Sequence, residues 1–242
     1  MVITADLHLH SCLSPCASLE MSPRVIARRL KEKGVTLGAL TDHNSALNCP
    51  AFKTACLREG VVPLFGLEAQ SSEEVHILCL FPRLETALAF GDEVYASLLR
   101  VRNVPARLGD QVIVNDRDEI TGEVENYLVV ASAYDVYALA RRTRALGGLA
   151  IPAHADRPAF SLMSQLGTIP DGPWDAVEMT GSPPWGPSFP PRPVTRSSDA
   201  HYPEHIARRV TVLDTGDGPL TTPQGEADLA VIRRALERLR GA

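Results

Sequence analysis

Seven histidines are present, and six of them fall in or beside short apolar segments that read as strands: His8, His10, His43, His76, His154 and His201. Asp6, His8 and His10 stand two apart, so an extended chain puts all three on one face and Leu7 and Leu9 on the other. Three inward ionisable groups are costly in an apolar interior unless something pairs them, and a bound cation does. Thr41-Asp42-His43-Asn44 closes a second strand, Glu68 follows Phe65-Gly66-Leu67, and His76 lies within Glu74-Val75-His76-Ile77-Leu78. Pro152-Ala153-His154 closes another strand, and Ser198-Asp199-Ala200-His201 another, again with acid and imidazole two apart. Singly, several have an ordinary reading, such as a turn histidine after Asp42 or a hydrogen-bonded core histidine at position 76. Together, five separate strand ends deliver His, Asp or Glu to one rim. Mixed imidazole and carboxylate ligands suit zinc, iron or manganese rather than magnesium or calcium, and their number exceeds what one ion uses, so a two- or three-metal centre is expected.

The elements that must position these groups alternate. Val2–His8 reads as a strand, and a helix follows Ser22-Pro23, a capping serine before a proline at the first helical position. Thr36–Thr41 is a strand and Ala51–Arg58 a helix; Val61–Phe65 and Val75–Phe81 are further buried strands. Helix Val136–Leu146, closed by Gly147-Gly148, leads to strand Leu149–Ala153. Ala176–Met179, Val194–Ser197 and Val210–Leu213 are short strands, and Asp228–Arg240 is a terminal helix. Seven or eight β-α steps in 242 residues favour one barrel domain over an open sheet, with the ligands at the strand ends where barrel sites are built. Two segments break the alternation. Residues 84–130 hold a helix, Glu85–Arg100, and a hairpin within Gln111–Val130; residues 181–193 are proline-rich and read as a stiff loop at the barrel mouth.

Lys and Arg total 24 against 29 Asp and Glu, a formal net charge of −5, so long nucleic acid held by phosphate neutralisation is not expected. No stretch approaches the roughly 20 apolar residues of a membrane span, and the first ten residues, which reach Asp6, do not read as a signal peptide. Five cysteines, Cys12, Cys16, Cys49, Cys56 and Cys79, are odd in number and confined to the first third, which points to a reducing, cytoplasmic setting with thiols free or on metal. Oligomeric state is not readable.

The ordered set Asp6-Leu7-His8-Leu9-His10, Thr41-Asp42-His43-Asn44, Gly66-Leu67-Glu68, His76, Pro152-Ala153-His154 and Ser198-Asp199-Ala200-His201 resembles the motifs of the polymerase and histidinol phosphatase (PHP) domain family. The resemblance implies an α/β fold, a distorted (β/α)7 TIM-like barrel, with a trinuclear centre that hydrolyses phosphoesters. Carried over, His8, His10, Glu68 and Asp199 hold one metal. Glu68 bridges to a second held with His76 and His154, and His43 and His201 hold a third. Family members often add a histidine shortly after the first motif; this chain has Cys16 there, a thiolate ligand acceptable to zinc or iron and less so to manganese. Nothing in the pattern requires Cys12, and His205 reads as a surface or supporting residue. Asp6 and Asp42 are expected to accept from neighbouring imidazoles and fix their tautomers. Arg157 and Arg196, beside ligand segments, are candidate phosphate clamps.

The expected function is hydrolysis of a small phosphomonoester, nucleotide or short oligonucleotide by a water bridging two to three divalent ions, with no side-chain nucleophile. The rival readings are a catalytically silent metal-binding scaffold and a metal-dependent C–N bond hydrolase.

Overall fold

The computed structural model describes residues 1–182 and 192–239. Its elements are β1 (Val2–Leu9), α1 (Pro23–Glu32), β2 (Leu37–Leu40), α2 (Cys49–Glu59), β3 (Val62–Gln70), β4 (His76–Phe81), α3 (Leu84–Ala96), α4 (Pro105–Leu108), β5 (Val112–Val114) and β6 (Ile120–Glu123). There follow α5 (Val136–Ala145), β7 (Leu149–Pro152), α6 (Leu162–Leu166), β8 (Val177–Glu178), β9 (Val194–Thr195), a 3-10 turn (Pro203–His205), β10 (Thr211–Asp214) and α7 (Leu229–Glu237). Of the expected mouth loop 181–193, residues 183–191 lie outside the described residues.

Six strands form one sheet in the order β10-β1-β2-β3-β4-β7. Only β1/β2 and β2/β3 run parallel; β10, β4 and β7 join antiparallel, so the expected β-α alternation holds for the first three strands and then breaks. The break has a local cause. Val62–Gln70 continues past the expected end at Phe65 and returns directly as β4, pairing Glu68 with Leu78 and Gln70 with His76, with no helix between. Gly66 permits this close pairing, because a Cβ there would lie 2.1 Å from the carbonyl oxygen of Cys79. The sheet curls, and backbone hydrogen bonds carry the curl onward: Asp175 N–H to Ala150 O and Ala155 N–H to Glu178 O link β7 to β8, β8 pairs parallel with β9, and Asp199 N–H and His10 N–H donate to His8 O and Ala200 O beside β1.

Apolar side chains divide into two layers. Ile3, Ala5, Leu7, Leu37, Ala39, Leu64, Leu78, Leu80, Leu149 and Ile151 fill the concave side together with Leu229, Ile232 and Leu236 of α7. Leu9, Phe65, Leu67, Ile77 and Phe81 pack outward against α1, α2, α3 and α5. Burying an amphipathic face this way, at about 25 cal/mol per Å² of apolar surface, is what holds short strands in place. At α1 the expected cap is present: Ser22 accepts from Val25 N–H and Pro23 opens the helix.

Strict alternation along Asp6–His10 is corrected here. Leu7 belongs to the inner layer and Leu9 to the outer one, because the β1/β2 register shifts between Asp6 and Leu9. Such a bulge re-aims side chains, and it turns His8 and His10 inward while Asp6 points away from them. The insertion also differs from its reading: the helix ends at Ala96 rather than near Arg100, and a short helix at Pro105–Leu108 precedes a hairpin shorter than expected. Among the described residues no helix is long and apolar enough to cross a membrane.

Candidate metal centre

Glu68 is the hub. It is buried in β3, and its two carboxylate oxygens lie 2.8 Å from His76 Nδ1, 2.9 Å from His43 Nδ1, 3.0 Å from His154 Nε2, 3.3 Å from His8 Nε2 and 3.4 Å from His10 Nε2. Asp199 Oδ1 stands 3.4 Å from both His8 Nε2 and His10 Nε2 and 3.5 Å from His201 Nδ1. The ligand atoms of His8, His10 and Glu68, of His43, Glu68 and His76, and of His10, His43 and His201 form three overlapping groups, each within 4.8 Å and able to hold a metal ion. Every one of the six expected histidines, with Glu68 and Asp199, is thus brought to one place. His76 arrives from the start of an antiparallel strand and the others from strand ends or the loops after them.

Proton accounting fixes which ring nitrogens of His8 and His10 face the centre. Ser14 Oγ donates its single proton to Asp42 Oδ1 at 2.7 Å and lies 2.9 Å from His10 Nδ1, so His10 must carry its proton on Nδ1 and donate it to Ser14. Glu178, 2% exposed, stands 3.0 Å from His8 Nδ1 and takes that proton likewise. Burial opposes protonation of His8, but the facing carboxylates of Glu178, Glu68 and Asp199 raise it well above its ordinary value, so without metal its Nε2–H faces the Nε2 lone pair of His10 at 3.1 Å. A cation that displaces this proton fits the same spacing, since two nitrogens on a tetrahedral ion at about 2.0–2.1 Å stand about 3.3 Å apart. His76 Nε2 and His154 Nδ1 are buried without a hydrogen-bond partner among the described residues, which also fits a metal-ligating set better than a closed hydrogen-bond network.

The electrostatics agree. Burial works to raise the Glu68 and Asp199 carboxyls, but the facing imidazoles, His76, His8 and His43 for Glu68, and His8 and His10 for Asp199, hold both well below the usual range. Burial and the neighbouring His201 and His43 lower His10, and burial takes His76 down to about 4. His43 goes the other way: burial opposes it, yet Glu68 and Cys16 raise it to about 10. Cys16 stands at the exposed rim. Desolvation pushes its thiol up, and hydrogen bonds with His201 and His43 outweigh this and bring it to about 6. Cys12, by contrast, is buried and pushed up to about 12, mainly by desolvation.

Asp6 and Asp42 touch no histidine ring among the described hydrogen bonds. Asp6 accepts from Ser198 N–H at 2.9 Å and Ala207 N–H at 3.0 Å, which fixes the loop carrying Asp199 and His201. Asp42 accepts from Ser11 N–H, Ser11 Oγ–H and Ser14 Oγ–H, and reaches His10 only through Ser14. Arg157 Nη2 pairs with Asp199 Oδ2 at 2.6 Å, whereas Arg196 spends its fork on the carbonyls of Thr180 and Gly181. His205 packs edge-on against Tyr202, outside the cluster.

Sequence reasoning missed Glu178, Ser14, Asn44 and Asn48. A lone acid in the apolar run Ala176-Val177-Glu178-Met179 was the available signal for the first. Asn44 donates to Leu128 O and Val130 O and accepts from Gln70 N–H, and Asn48 bonds Ser11 Oγ, Val112 O and Val114 N–H, so both tie the insertion to the centre. Their partners are remote in sequence, and no local pattern announces them. Asn44, His154, Phe160 and Asp199 hold φ of 49, 29, 54 and 48°, left-handed conformations that cluster where a site over-determines its backbone.

The fold matches solved structures at low identity. The lesion-specific endonuclease PfuEndoQ from Pyrococcus furiosus superposes with TM-score 0.66 at 22% identity, over 100% of this chain and 57% of that one. An endonuclease Q complex with a 27-mer duplex substrate bearing an abasic lesion gives 0.67 at 20%, over 100% and 58%. A Bifidobacterium adolescentis protein provisionally assigned as a metal-dependent phosphoesterase gives 0.54 at 18%, over 96% and 95%. This chain therefore spans little more than half the length of the endonuclease Q chains it matches. No curated protein matches it. The PHP domain model matches residues 6–142, more than half of the 242 residues and the segment that carries His8, His10, His43, Glu68 and His76, so the chain belongs to the PHP domain family.

Proposed function

We propose that the chain is a metal-dependent phosphoesterase with a trinuclear centre on a distorted (β/α)7 barrel, acting on a small phosphomonoester, a nucleotide or a short oligonucleotide. The observation that carries this reading is Glu68, whose two oxygens lie within 3.4 Å of five histidines and so suit a bridging carboxylate. In this assignment His8, His10, Glu68 and Asp199 hold one ion, Glu68, His76 and His154 a second, and His43, His201 and Cys16 a third. Bound divalent cations supply Lewis acidity toward water and phosphoryl oxygens.

The chain's own groups do the rest. Glu178 and Ser14 keep the Nδ1 protons of His8 and His10, leaving both Nε2 atoms as ligands. The hydroxyls of Ser11 and Ser14 are spent on Asp42, so neither serves as a nucleophile. Arg157 stands at the rim with donors to spare and suits an incoming phosphoryl oxygen. A negative net charge carries no exclusion of longer nucleic acid, because charge summed over a chain does not describe charge at the rim; a fold neighbour is seen with a 27-mer duplex. A full ligand set weighs against a silent scaffold.

Bis(p-nitrophenyl) phosphate and p-nitrophenyl phosphate, offered to protein loaded with zinc, iron(II) or manganese, test the reading. Turnover abolished by His8→Ala and by Asp199→Ala, with circular dichroism unchanged, is the expected result. Opening of a cyclic amide with both phosphoesters untouched would replace it with C–N hydrolysis, and full metal content without turnover would leave the scaffold.

A further inference from the structure

The loop after His154 carries two groups that the ligand assignment does not use. Arg157 places Nη2 2.6 Å from Asp199 Oδ2, and its remaining donors make no hydrogen bond among the described residues. Three residues on, the Phe160 ring stacks on the His76 imidazole with centroids 4.9 Å apart and planes 15° from parallel, while its carbonyl accepts from His76 N–H at 3.1 Å. Both side chains stay open to solvent, with Phe160 37% exposed and the Arg157 side chain 37%.

Phe160 also sits at φ 54°, a conformation that a bulky side chain adopts only at a cost and that glycine takes freely. Core packing does not explain the choice, because the ring is one of the large apolar groups left exposed. What the conformation achieves is to set a flat apolar face over one candidate ligand, close in sequence to a cation held at another.

Resting on the phosphoester reading above, we propose that Arg157 and Phe160 form the substrate-recognition edge of the centre. The guanidinium takes a phosphoryl oxygen, and the open face of Phe160 stacks a flat ring attached to that phosphate. The substrate class is then a phosphoester bearing an aromatic group, a nucleobase or an aryl ring, rather than an alkyl or sugar phosphate.

Calorimetric titration of metal-loaded protein with thymidine 5′-monophosphate and with methyl phosphate decides it. The parent binds the nucleotide more tightly by roughly 5- to 160-fold, the range that stacking of one base gives. Phe160→Gly, which relieves the backbone, keeps or raises the melting temperature and the affinity for methyl phosphate but erases the preference; Phe160→Leu erases it too, and Phe160→Tyr keeps it. Equal affinity of the parent for both phosphates, or a preference that survives in the glycine and leucine variants, overturns the recognition edge alone. Binding of neither phosphate overturns the phosphoester reading and the edge together.

Discussion

Ser14 shows how one hydroxyl can organise a centre. It gives its proton to Asp42 and receives those of His10 Nδ1 and His43 N–H, at 2.9 and 3.2 Å, so it yokes the ends of β1 and β2. Removing it strands two buried donors at about 1–3 kcal/mol each and frees the His10 tautomer. Ser14→Ala is therefore expected to weaken metal binding by about 10- to 100-fold, the usual cost of losing such a support. Competition against a chelator measures it, and an unchanged affinity would mean that Asp42 orients nothing through this path. Cys16 makes a second test. If its thiolate completes the third site, Cys16→Ser loses one metal equivalent, whereas equal metal counts in parent and variant return it to an ordinary rim residue.

At the scale of elements, the β3/β4 hairpin brings Glu68 and His76 to the same rim, and the insertion buttresses the loop that carries Ser14 and Cys16. Gly66→Ala drives a Cβ against Cys79 O, and the strands must part. Overpacking of this kind costs about 1–3 kcal/mol, and here it also moves Glu68, so the urea midpoint and metal affinity are expected to fall together. Gly109 does the same for the insertion: φ is 94° and a Cβ would meet Pro15 O at 2.0 Å. A Gly109→Ala variant with unaltered metal content would show that the insertion does not bear on the third site.

For the whole molecule, folding and metal loading are one equilibrium. Buried imidazole nitrogens without a hydrogen-bond partner among the described residues, His76 Nε2 and His154 Nδ1, make the empty centre costly, so metal-replete protein is expected to carry at least two equivalents and to melt higher than chelator-treated protein, by elemental analysis and scanning calorimetry. Proton linkage supplies the sign. His43, at about 10 without metal, is protonated at pH 7 and must release that proton to ligate, so apparent metal affinity rises from pH 6 to 8. Calorimetry in buffers of differing ionisation enthalpy counts the protons, and a count of zero would remove His43 from the ligand set. The metal-free chain behaves oppositely: the His43 contribution to stability is complete below about pH 6.5 and lost as pH rises through about 10.

Most members of the histidine and carboxylate cluster were legible along the chain, because a metal centre at a strand rim demands imidazoles and carboxylates at segment ends, and spacing and residue type are local properties. Capping of α1 by Ser22-Pro23 was legible for the same reason. Three features were not. The bulge that sends Leu7 inward and Leu9 outward depends on the register against β2, and the β3/β4 return depends on how closely two backbones approach at Gly66. The supporting shell, Glu178 on His8, Ser14 on His10 and Asn44 and Asn48 on the insertion, joins residues up to 170 positions apart. Local chemistry chose the members of the cluster; only tertiary packing, which decides who is buried beside whom, could choose the groups that hold their protons and point them inward.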